Sequence, residues 1–403
     1  MEFPTNMLGF VFSLLFVCQH CEFRDIQDAI NKAKEGDRVV VKGGTYKGGV
    51  VVDKKLELVG EGEPVIDGEG KKQVLTVKAD GVRVEGFVIK NSGMSYSEDI
   101  AGLKVINSRD CIIKNNRLLN NFFALYLERV SGCLVEGNTV VGFAKSEGSS
   151  GNGIHAWNSE GIIIKNNYIR GHRDGIYFEF VKNSIIENNK SDYNLRYGLH
   201  FMFSNDDIYR KNYFYKNGAG VAVMYSKNIK MEENTFEKNE GQANYGLLLK
   251  DIQDSILYRN RFINNTHGVY LEGCNKTEFK ENLLKNNGWA IRIYANSEEN
   301  LFVKNIFIGN AFDVSTNTFS YFKNIFQENY YDKYEGYDFD NDGYGDVPYR
   351  PVSFMAVIFE RYPLSLLFYG SFFAHIMDTM EKFIPVLSPQ SLVDKKPLMR
   401  RPW

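Results

Sequence analysis

The feature that most constrains the fold of this 403-residue chain is a repeat of about 22 residues. From residue 81 onward an asparagine follows a short apolar run in each repeat, and successive asparagines lie 22 to 29 residues apart. They are Asn116, Asn138, Asn167, Asn189, Asn212, Asn234, Asn260, Asn282, Asn305 and Asn329. A self-similar period of this length is typical of solenoid proteins, in which each repeat contacts only its neighbours.

The segments within one repeat are too short for helices and are rich in β-branched and aromatic residues. Each repeat is therefore predicted to be one coil of an all-β, right-handed parallel β-helix, with adjacent coils about 4.8 Å apart. Two residues after each asparagine an apolar side chain recurs, from Leu118 to Tyr331, with Ser191 as the exception. The interior is thus predicted to consist of stacked side-chain ladders, and the asparagines are expected to bond to the backbone at a turn that all coils share.

The N-terminus indicates export. Residues 7–18 form an apolar stretch that is too short to span a bilayer and has the length of a signal peptide. Residues 1–21 are therefore predicted to be a signal peptide or a lipoprotein signal. Lipid attachment at Cys18 or Cys21 is a further alternative, although Val17 is larger than the residue that usually precedes a lipidated cysteine.

The remaining chain divides into three segments. Residues 22–80 are predicted to hold an N-terminal cap helix, at 25–34, and the first coils, because apolar residues there recur at helical spacing before Gly36. Residues 81–335 are the β-helix repeats. Residues 336–403 hold an acidic loop and an apolar C-terminal segment that is predicted to be helical.

Composition and motifs exclude several function classes. The 48 Lys and Arg balance 50 Asp and Glu, so the chain lacks the positive charge that a nucleic-acid-binding protein needs. Five cysteines are too few for a disulfide-stapled scaffold. The sequence holds no G-x-x-x-x-G-K-[ST] motif, so ATP hydrolysis in its function would belong to a partner.

The second strand of each coil alternates with period two, so that two of its side chains point inward and two outward. One outward column holds Tyr126, His155, Tyr177, His200, Ala222, Leu248, Tyr270 and Arg292, and the other holds Glu128, Trp157, Glu179, Met202, Met224, Lys250, Glu272 and Tyr294. Such a face is rich in aromatic residues, histidine and methionine for one that meets only water. It is predicted to be a docking face, with Tyr126, Trp157, Tyr177, Glu179, Tyr270 and Tyr294 among its outward members.

The same face carries candidate copper ligands. Met202 and Met224 fall on adjacent coils, and His200 precedes Met202 by two residues on the same face. Thioether and imidazole donors select copper, particularly Cu(I), over Mg²⁺ or Ca²⁺. His155 lies two coils from His200 with Tyr177 between them, about 10 Å away by coil spacing, so it is interpreted as a transfer ligand. A docking face that holds no copper remains the alternative.

Several stretches of the chain resemble the NosD family, the β-helical accessory proteins of nitrous oxide reductase maturation. They include Gly151-Asn-Gly-Ile-His-Ala-Trp157, Arg196-Tyr-Gly-Leu-His-Phe-Met-Phe-Ser-Asn205 and Gly345-Asp-Val-Pro-Tyr-Arg-Pro-Val352. The likeness runs from about residue 23 to the C-terminus. It implies a periplasmic, non-enzymatic β-helix that associates with the membrane through an ABC transporter, made of a separate ATPase and a permease. It further implies that this protein supplies copper to nitrous oxide reductase, with a copper-donor lipoprotein as a further partner.

Residues 352–384 are far more apolar than the coils, but Glu360, Arg361 and Pro363 interrupt them. They are therefore poor membrane-spanning helices and better docking helices, which suits contact with the permease. The alternative is a helical lid on the open end of the β-helix, and both roles can hold at once.

The segment Asp338-Phe-Asp-Asn-Asp-Gly-Tyr-Gly-Asp346 is the sharpest local motif. Asp338, Asp340, Asp342 and Asp346 stand at positions 1, 3, 5 and 9 around a glycine at position 6, as in the first part of a calcium loop. Position 12 is Tyr349 instead of glutamate. A structural Ca²⁺ is predicted here, and an acidic turn whose aspartates cap their own backbone is the alternative.

The main rival function is a polysaccharide lyase or hydrolase, because β-helix enzymes use the same outward face. Glu128, Glu179, Asp174 and Arg173 are the residues available for that role. Glu128 and Glu179 are separated by Trp157 and therefore by about 10 Å, beyond the carboxylate spacing that glycoside hydrolysis requires. A carbohydrate-binding module without chemistry is the second rival.

Overall fold

A computed structural model of the chain describes residues 13–95, 98–240, 245–318, 323–383 and 392–402. In this part of the chain the fold is the predicted all-β parallel β-helix, built of three sheets to which successive coils contribute one strand each. The paired strands are parallel throughout these sheets, as a solenoid requires. We call the sheets A, B and C.

The three sheets run the length of the solenoid. Sheet A contains Leu14–Val17, Arg38–Lys42, Glu57–Glu61, Arg83–Glu85, Ile112–Lys114, Leu134–Glu136, Ile163–Lys165, Ile185–Glu187, Ile208–Arg210, Lys230–Glu232, Ile256–Tyr258, Glu278–Lys280, Leu301–Val303 and Ile325–Gln327. Sheet B contains Thr45–Lys47, Val65–Asp67, Val88–Lys90, Arg117–Leu119, Thr139–Val141, Tyr168–Arg170, Lys190–Asp192, Tyr213–Tyr215, Thr235–Glu237, Arg261–Ile263, Leu283–Lys285, Ile306–Ile308 and Tyr330–Tyr331. Sheet C contains Val50–Val52, Leu75–Val77, Ala101–Ile106, Phe123–Glu128, Ile154–Trp157, Asp174–Glu179, Tyr197–Met202, Ala219–Met224, Tyr245–Lys250, His267–Glu272, Trp289–Ile293 and Phe312–Thr316.

The helices of the described chain are short. They are α1 (Ile26–Lys32), α2 (Phe354–Arg361) and α3 (Phe372–Phe383), with 3₁₀ turns at Glu147–Ser149 and Pro363–Phe368. Helix α1 confirms the predicted cap helix, although it ends at Lys32 because Ala33 adopts an extended conformation. The side chain of Asp25 begins it by accepting the N–H groups of Gln27 and Asp28.

The interior is filled by columns of apolar side chains, as the period of two predicts. In sheet C the inward column from Leu125 to Ile291 is buried coil after coil, and so is the column from Leu127 to Ile293. In sheet B the aromatic members of the column that follows each asparagine by two residues stack ring on ring. The ring centroids of Phe236 and Phe262, for example, lie 4.7 Å apart at an interplanar angle of 8°.

The predicted asparagine ladder is confirmed in every coil from Asn116 to Asn329. The backbone N–H and the side-chain amide of Asn189 both donate to Oδ1 of Asn212, at 2.9 and 3.0 Å. The same amide also donates to the carbonyl of Ile164 in the preceding coil, at 2.9 Å. All of the asparagine's hydrogen-bonding groups are thereby satisfied although the residue is buried, and each turn is locked to both of its neighbours.

A second asparagine ladder, five residues after the first, was not predicted. Its members share the same pattern of donation to the next coil, and they are Asn194, Asn217, Asn239, Asn265, Asn287 and Asn310. The position preceding Asn194 in this ladder is His172, whose backbone N–H donates to Oδ1 of Asn194 at 3.1 Å. The repeated asparagine in the segments N-x-x-x-x-N carries this signal in the sequence.

The N-terminal end overlaps the segment predicted as a signal. Leu14–Val17 pairs with Arg38–Lys42 as the first strand of sheet A, and Val17 is fully buried. Cys18 and Cys21 form a disulfide, so in this form neither thiol is available for a lipid or a metal. The signal boundary at residue 21 stays a prediction, and residues 1–12 lie outside the described part of the chain.

The C-terminal end of the solenoid is closed by residues 392–398. Asp394 is buried, and its Oδ2 accepts the backbone N–H and the amide of Asn329, at 3.0 and 2.9 Å, so that an aspartate ends the first asparagine ladder. Val352 pairs with Val314 and is also buried. The lid that an open last coil requires is therefore supplied chiefly by these extended segments, whereas helix α2 lies against the strand Phe312–Thr316.

We expect the substitution Asp207→Asn to stabilise the protein at alkaline pH. Asp207 is buried at the turn before sheet A, where its Oδ1 accepts the N–H of Ser184 at 2.8 Å. Burial raises its pKa from the ordinary value of 3.8 to about 8. Because the folded protein binds the proton more tightly than the unfolded chain, the stability that protonation contributes is present below pH 3.8 and is lost as the pH rises towards 8.

Urea denaturation between pH 5 and pH 9 measures this effect. The advantage of Asp207→Asn over the wild type should grow by up to roughly 1.4 kcal/mol per pH unit until about pH 8 and then level off. Asparagine already occupies this turn at Asn300 and Asn324, where its amide finds a carbonyl in the preceding coil. The control is Asp254→Asn, because this exposed aspartate lies at the same turn two coils away and does not act on the Asp207 carboxyl. A pH-independent difference for Asp207→Asn would contradict the assignment.

Candidate functional site

The candidate site is the outer face of sheet C, by which we mean the outward side chains of its strands from Phe123–Glu128 to Phe312–Thr316. The strand register brings the predicted columns together as expected. His155 pairs with Tyr177, Tyr177 with His200, and Met202 with Met224 on successive strands. Adjacent members of a column are therefore neighbours on consecutive coils.

The two histidines sandwich a tyrosine, as the sequence predicts. The ring centroids of His155 and Tyr177 lie 4.7 Å apart, and those of Tyr177 and His200 lie 4.9 Å apart. The two imidazoles therefore do not meet at one point. Nδ1 of His155 lies 3.2 Å from the amide of Asn152, and among the described residues its Nε2 has no hydrogen-bond partner.

The outer face is less open than the docking face expected from the sequence. His155, Tyr177 and His200 expose 8%, 9% and 5% of their surfaces, and Tyr126 and Tyr270 are buried as well. Rings on coils about 4.8 Å apart cover one another's faces, so a continuous aromatic column shields itself from water. Trp157, Glu179 and Tyr294 are half-buried, and they form the accessible margin of the face.

A buried ion pair lies beside this column. Asp174 is completely buried and accepts two hydrogen bonds from the guanidinium of Arg196, one of them 2.9 Å long. Nε of Arg173 and Nδ1 of His200 each lie 3.8 Å from Oδ2 of Asp174. Burial alone would raise the pKa of Asp174, but the neighbouring His200 and Arg196 lower that pKa to about 2.

Arg173 and Asp174 are predicted from the sequence only as residues of the rival enzyme, and Arg196 and Tyr197 are not predicted as site residues. The sequence marks such residues by their position: they immediately precede the glycine of a sheet C strand, and their side chains also point outward. Asp174 and Tyr197 both occupy that position, and the ring of Tyr197 lies 4.8 Å from that of His200. An alignment that begins at the glycine omits this third outward column.

Burial and charge set the protonation of the first histidine. Burial lowers the pKa of His155 to about 3, and the positive charge of Arg173 contributes. The imidazole of His155 is therefore neutral at pH 7. Arg173 and Arg196 share the carboxylate of Asp174, which also lies 3.8 Å from Nδ1 of His200, so this charged cluster lies beside both histidines.

The methionine pair lies at the more accessible end of the site. Met202 and Met224 are directly paired on neighbouring strands, and both are half-buried. The sulfur of Met202 lies 3.7 Å from the hydroxyl of Tyr177. Both ring nitrogens of His200 lack hydrogen-bond partners among the described residues. Glu179 pairs with Met202 from the preceding strand, so a carboxylate borders the thioethers.

The acidic candidates of the rival enzyme are engaged elsewhere. Glu128 forms ion pairs with Lys104, at 2.9 Å, and with Arg129, at 2.6 Å. Arg129 also covers the ring of Trp157, with its guanidinium carbon 5.5 Å from the ring centroid. Asp174 is closed off by Arg196. Glu128 and Asp174 are thus held by cations, which leaves Glu179 beside Met202.

Helix α2 packs over the last strands of the outer face. Glu360 binds Arg292, and the ring of Phe359 lies 5.6 Å from that of Phe312. Beyond this helix, large apolar side chains from Tyr362 to Phe373 are exposed, and Leu364 and Leu367 have exposed fractions of 83% and 85%. Within the described residues no helix has the length and apolar composition needed to cross a bilayer.

The acidic loop brings three of its four aspartates together. Carboxylate oxygens of Asp338, Asp340 and Asp346 all lie within 4.8 Å of one another. Asp342 lies outside this group and accepts the N–H of Tyr344 at 2.8 Å. The other three aspartates also accept backbone N–H groups of the loop, so the self-capping expected of the alternative interpretation is present as well. Tyr349, at position 12 of the motif, donates its hydroxyl to Asp313 at 3.3 Å and takes no part in the cluster.

A family model and two relatives carry the same family name. Residues 141–336 match the family model of NosD, described as a periplasmic copper-binding protein. The chain is 30% identical to the probable ABC transporter binding protein NosD of Pseudomonas aeruginosa, over 93% of this chain and 91% of that protein. It is 27% identical to the protein of the same name from Stutzerimonas stutzeri, over 89% and 86% of the two chains.

A solved structure shares the fold without sequence similarity. The family 28 exopolygalacturonase of Yersinia enterocolitica superposes with a TM-score of 0.61 at 13% identity, over 72% of this chain and 73% of that chain. At this identity the likeness extends to the β-helix architecture and not to a catalytic site.

Proposed function

This chain belongs to the NosD family, and from that premise we propose that it is a periplasmic copper-handling protein that works with an ABC transporter to supply copper for nitrous oxide reductase assembly. The observation that carries the proposal is the paired Met202 and Met224, with His200 beside them, on an outer face flanked by the exposed apolar segment 362–373. Soft and partly accessible donors suit a metal that is bound briefly and passed on.

We place the copper cargo, as Cu(I), at His200, Met202 and Met224. Nε2 of His200 has no hydrogen-bond partner among the described residues and can coordinate, whereas Nδ1 lies 3.8 Å from Asp174, and the carboxylate of Glu179 beside Met202 favours a cation at this end. His155 is a less suitable primary ligand, because the ring of Tyr177 separates it from His200 and the positive charge of Arg173 acts on it. Its neutral imidazole fits the role of transfer ligand.

The periplasm is the proposed compartment. The apolar stretch at residues 7–18 supports export, and the disulfide Cys111–Cys133, beyond the predicted signal, suits an oxidising environment. The membrane association would then come from the transporter permease, with its ATPase on the other side. A copper-donor lipoprotein and nitrous oxide reductase are the proposed exchange partners.

An enzymatic role on carbohydrates has less support. Two of the three carboxylates available to a hydrolase are paired with cations, Glu128 with Lys104 and Arg129, and Asp174 with Arg196, so Glu179 has no free carboxylate as its partner. The aromatic rings of the outer face are stacked on one another and are largely buried, so they present few ring faces to a sugar.

We further propose that the acidic loop holds a structural Ca²⁺ through Asp338, Asp340 and Asp346. The loop is tied to the end of the solenoid, because Gly345 donates to the carbonyl of Pro397 at 2.8 Å and Met399 donates to that of Gly343 at 3.1 Å. Ion binding would therefore stabilise the closing segment 392–398.

The double substitution Met202→Leu/Met224→Leu is expected to weaken Cu(I) binding at least about tenfold, because leucine keeps the volume and removes the sulfur donors. Competition with bicinchoninate under anaerobic conditions measures the affinity, and the copper content of nitrous oxide reductase measures maturation. Met231→Leu is the matched control, since Met231 lies in the core and faces no ligand. Unchanged affinity and maturation in the double variant would put the site elsewhere.

The exposed C-terminal segment is proposed to dock on the transporter permease. Leu364→Ser/Leu367→Ser should reduce co-purification with the permease and ATPase at least about tenfold, because apolar anchors at the centre of an interface carry much of its affinity. Both side chains are exposed, so folding should be unaffected. Phe143→Ser, another exposed apolar position, is the control. Full co-purification of the double variant would show that docking uses a different surface.

Calcium should raise the melting temperature of the protein. At a free concentration a hundred times the Kd, the expected stabilisation is about 2.7 kcal/mol. Asp340→Asn should abolish the shift, whereas Asp342→Asn in the same loop should retain it, because Asp342 is turned towards Tyr344. Calorimetry with added Ca²⁺ after chelation tests this, and a wild-type protein that does not respond would leave the self-capped acidic turn as the explanation.

A further inference from the structure

Three exposed aromatic residues form a ridge along the edge of the outer face. Phe180, Phe203 and Tyr225 expose 49%, 40% and 41% of their surfaces. Their ring centroids are 5.3 and 5.0 Å apart, at interplanar angles of 10° and 14°. We call these three residues the aromatic ridge.

The ridge residues follow directly on the outer face. Phe203 comes immediately after Met202, and Tyr225 comes immediately after Met224. The ridge therefore borders the proposed copper ligands along two consecutive coils. Their hydrogen-bonded register fixes this proximity, because Met202 and Met224 are paired across adjacent strands.

The backbone at these positions is unfavourable for bulky residues. Phe180, Phe203 and Tyr225 have φ values of 54°, 50° and 53°, in the left-handed region. The same turn in other coils holds Asn107, Asn158, Asp251 and Gly273, which adopt this conformation more readily, and Arg129 in one coil. The turn therefore does not require an aromatic residue, and strained backbone of this kind clusters at functional sites.

The ring geometry selects the kind of partner. Because the rings stack nearly parallel along the solenoid, the faces of the middle ring are covered and mainly ring edges meet the solvent. Sugar recognition uses open ring faces, which the ridge hardly offers. A row of apolar edges is instead suited to the apolar margin of another protein, where aromatic residues supply contact area at low entropic cost.

We propose that the aromatic ridge docks the protein that exchanges Cu(I) with His200, Met202 and Met224. The inference rests on the proposed function. The partner is a copper-carrying protein whose metal site lies at its surface within an apolar rim, so that docking brings the two ligand sets together and excludes water. Transfer is a ligand exchange without redox change. A thioether or imidazole bond to Cu(I) forms as a bond to a partner ligand breaks, and copper stays in the +1 state.

Phe203→Asn and Tyr225→Asn test the proposal. Asparagine occupies this turn at Asn158, so both variants should fold and should melt at the wild-type temperature or above it. The affinity for Cu(I) in competition with bicinchoninate should stay within twofold of the wild type. The rate of Cu(I) transfer from the copper-loaded soluble domain of the copper-donor lipoprotein, followed by stopped flow, should fall at least tenfold. Phe203→Tyr, which keeps the ring, should retain the wild-type rate of Cu(I) transfer.

Each other outcome contradicts the docking role. Unchanged transfer rates in the asparagine variants would show that the partner binds elsewhere. A parallel loss of Cu(I) affinity would mean that the ridge shapes the metal site instead of docking a protein. A wild-type dimer in sedimentation that dissociates on Phe203→Asn would assign the ridge to self-association. Failure of the wild type to bind Cu(I) from bicinchoninate would contradict the proposed function itself, and this readout is independent of the ridge.

Discussion

The structure depends on hydrogen bonds that run from coil to coil through buried asparagine side chains. Each asparagine is held by the coil before it and the coil after it, as Asn189 is by Ile164 and Asn212. A buried amide left without partners costs about 1 to 3 kcal/mol, so a coil that slipped by one residue would lose these bonds along with its core column. The ladder thereby fixes the register on which every outward column depends, including the pairing of Met202 with Met224.

The fixed register also determines the electrostatics of the outer face. Side chains repeat at the coil spacing, so aromatic rings cover one another and bury Tyr177 between two histidines. Asp174 compensates Arg196 in the same buried layer. Both histidines lie beside the charged cluster of Arg173, Asp174 and Arg196, whereas the thioether of Met202 lies beside Glu179 on the neighbouring strand. A soft cation therefore finds its sulfur donors next to a carboxylate.

The coils and their inward columns could be predicted from the sequence because both depend on local periods of two and about 22 residues. The contacts that close the solenoid could not, since Asp394 completes a ladder with Asn329, 65 residues earlier, and no period relates the two. The adjacency of His200, Met202 and Met224 followed from the alignment. The burial of Tyr126 and Tyr270 did not, because it arises from side chains on neighbouring coils and from the outward residue that begins each strand, Phe123 beside Tyr126 and Tyr245 beside Tyr270.

X-ray absorption at the copper edge tests directly whether Met202, Met224 and His200 bind copper. The measurement uses the full chain loaded with one equivalent of Cu(I) without oxygen, and it reports the donor atoms around the metal independently of any substitution. We expect a first shell that contains thioether sulfur together with an imidazole nitrogen, as Met202, Met224 and His200 would supply. A first shell of nitrogen and oxygen donors alone would contradict it.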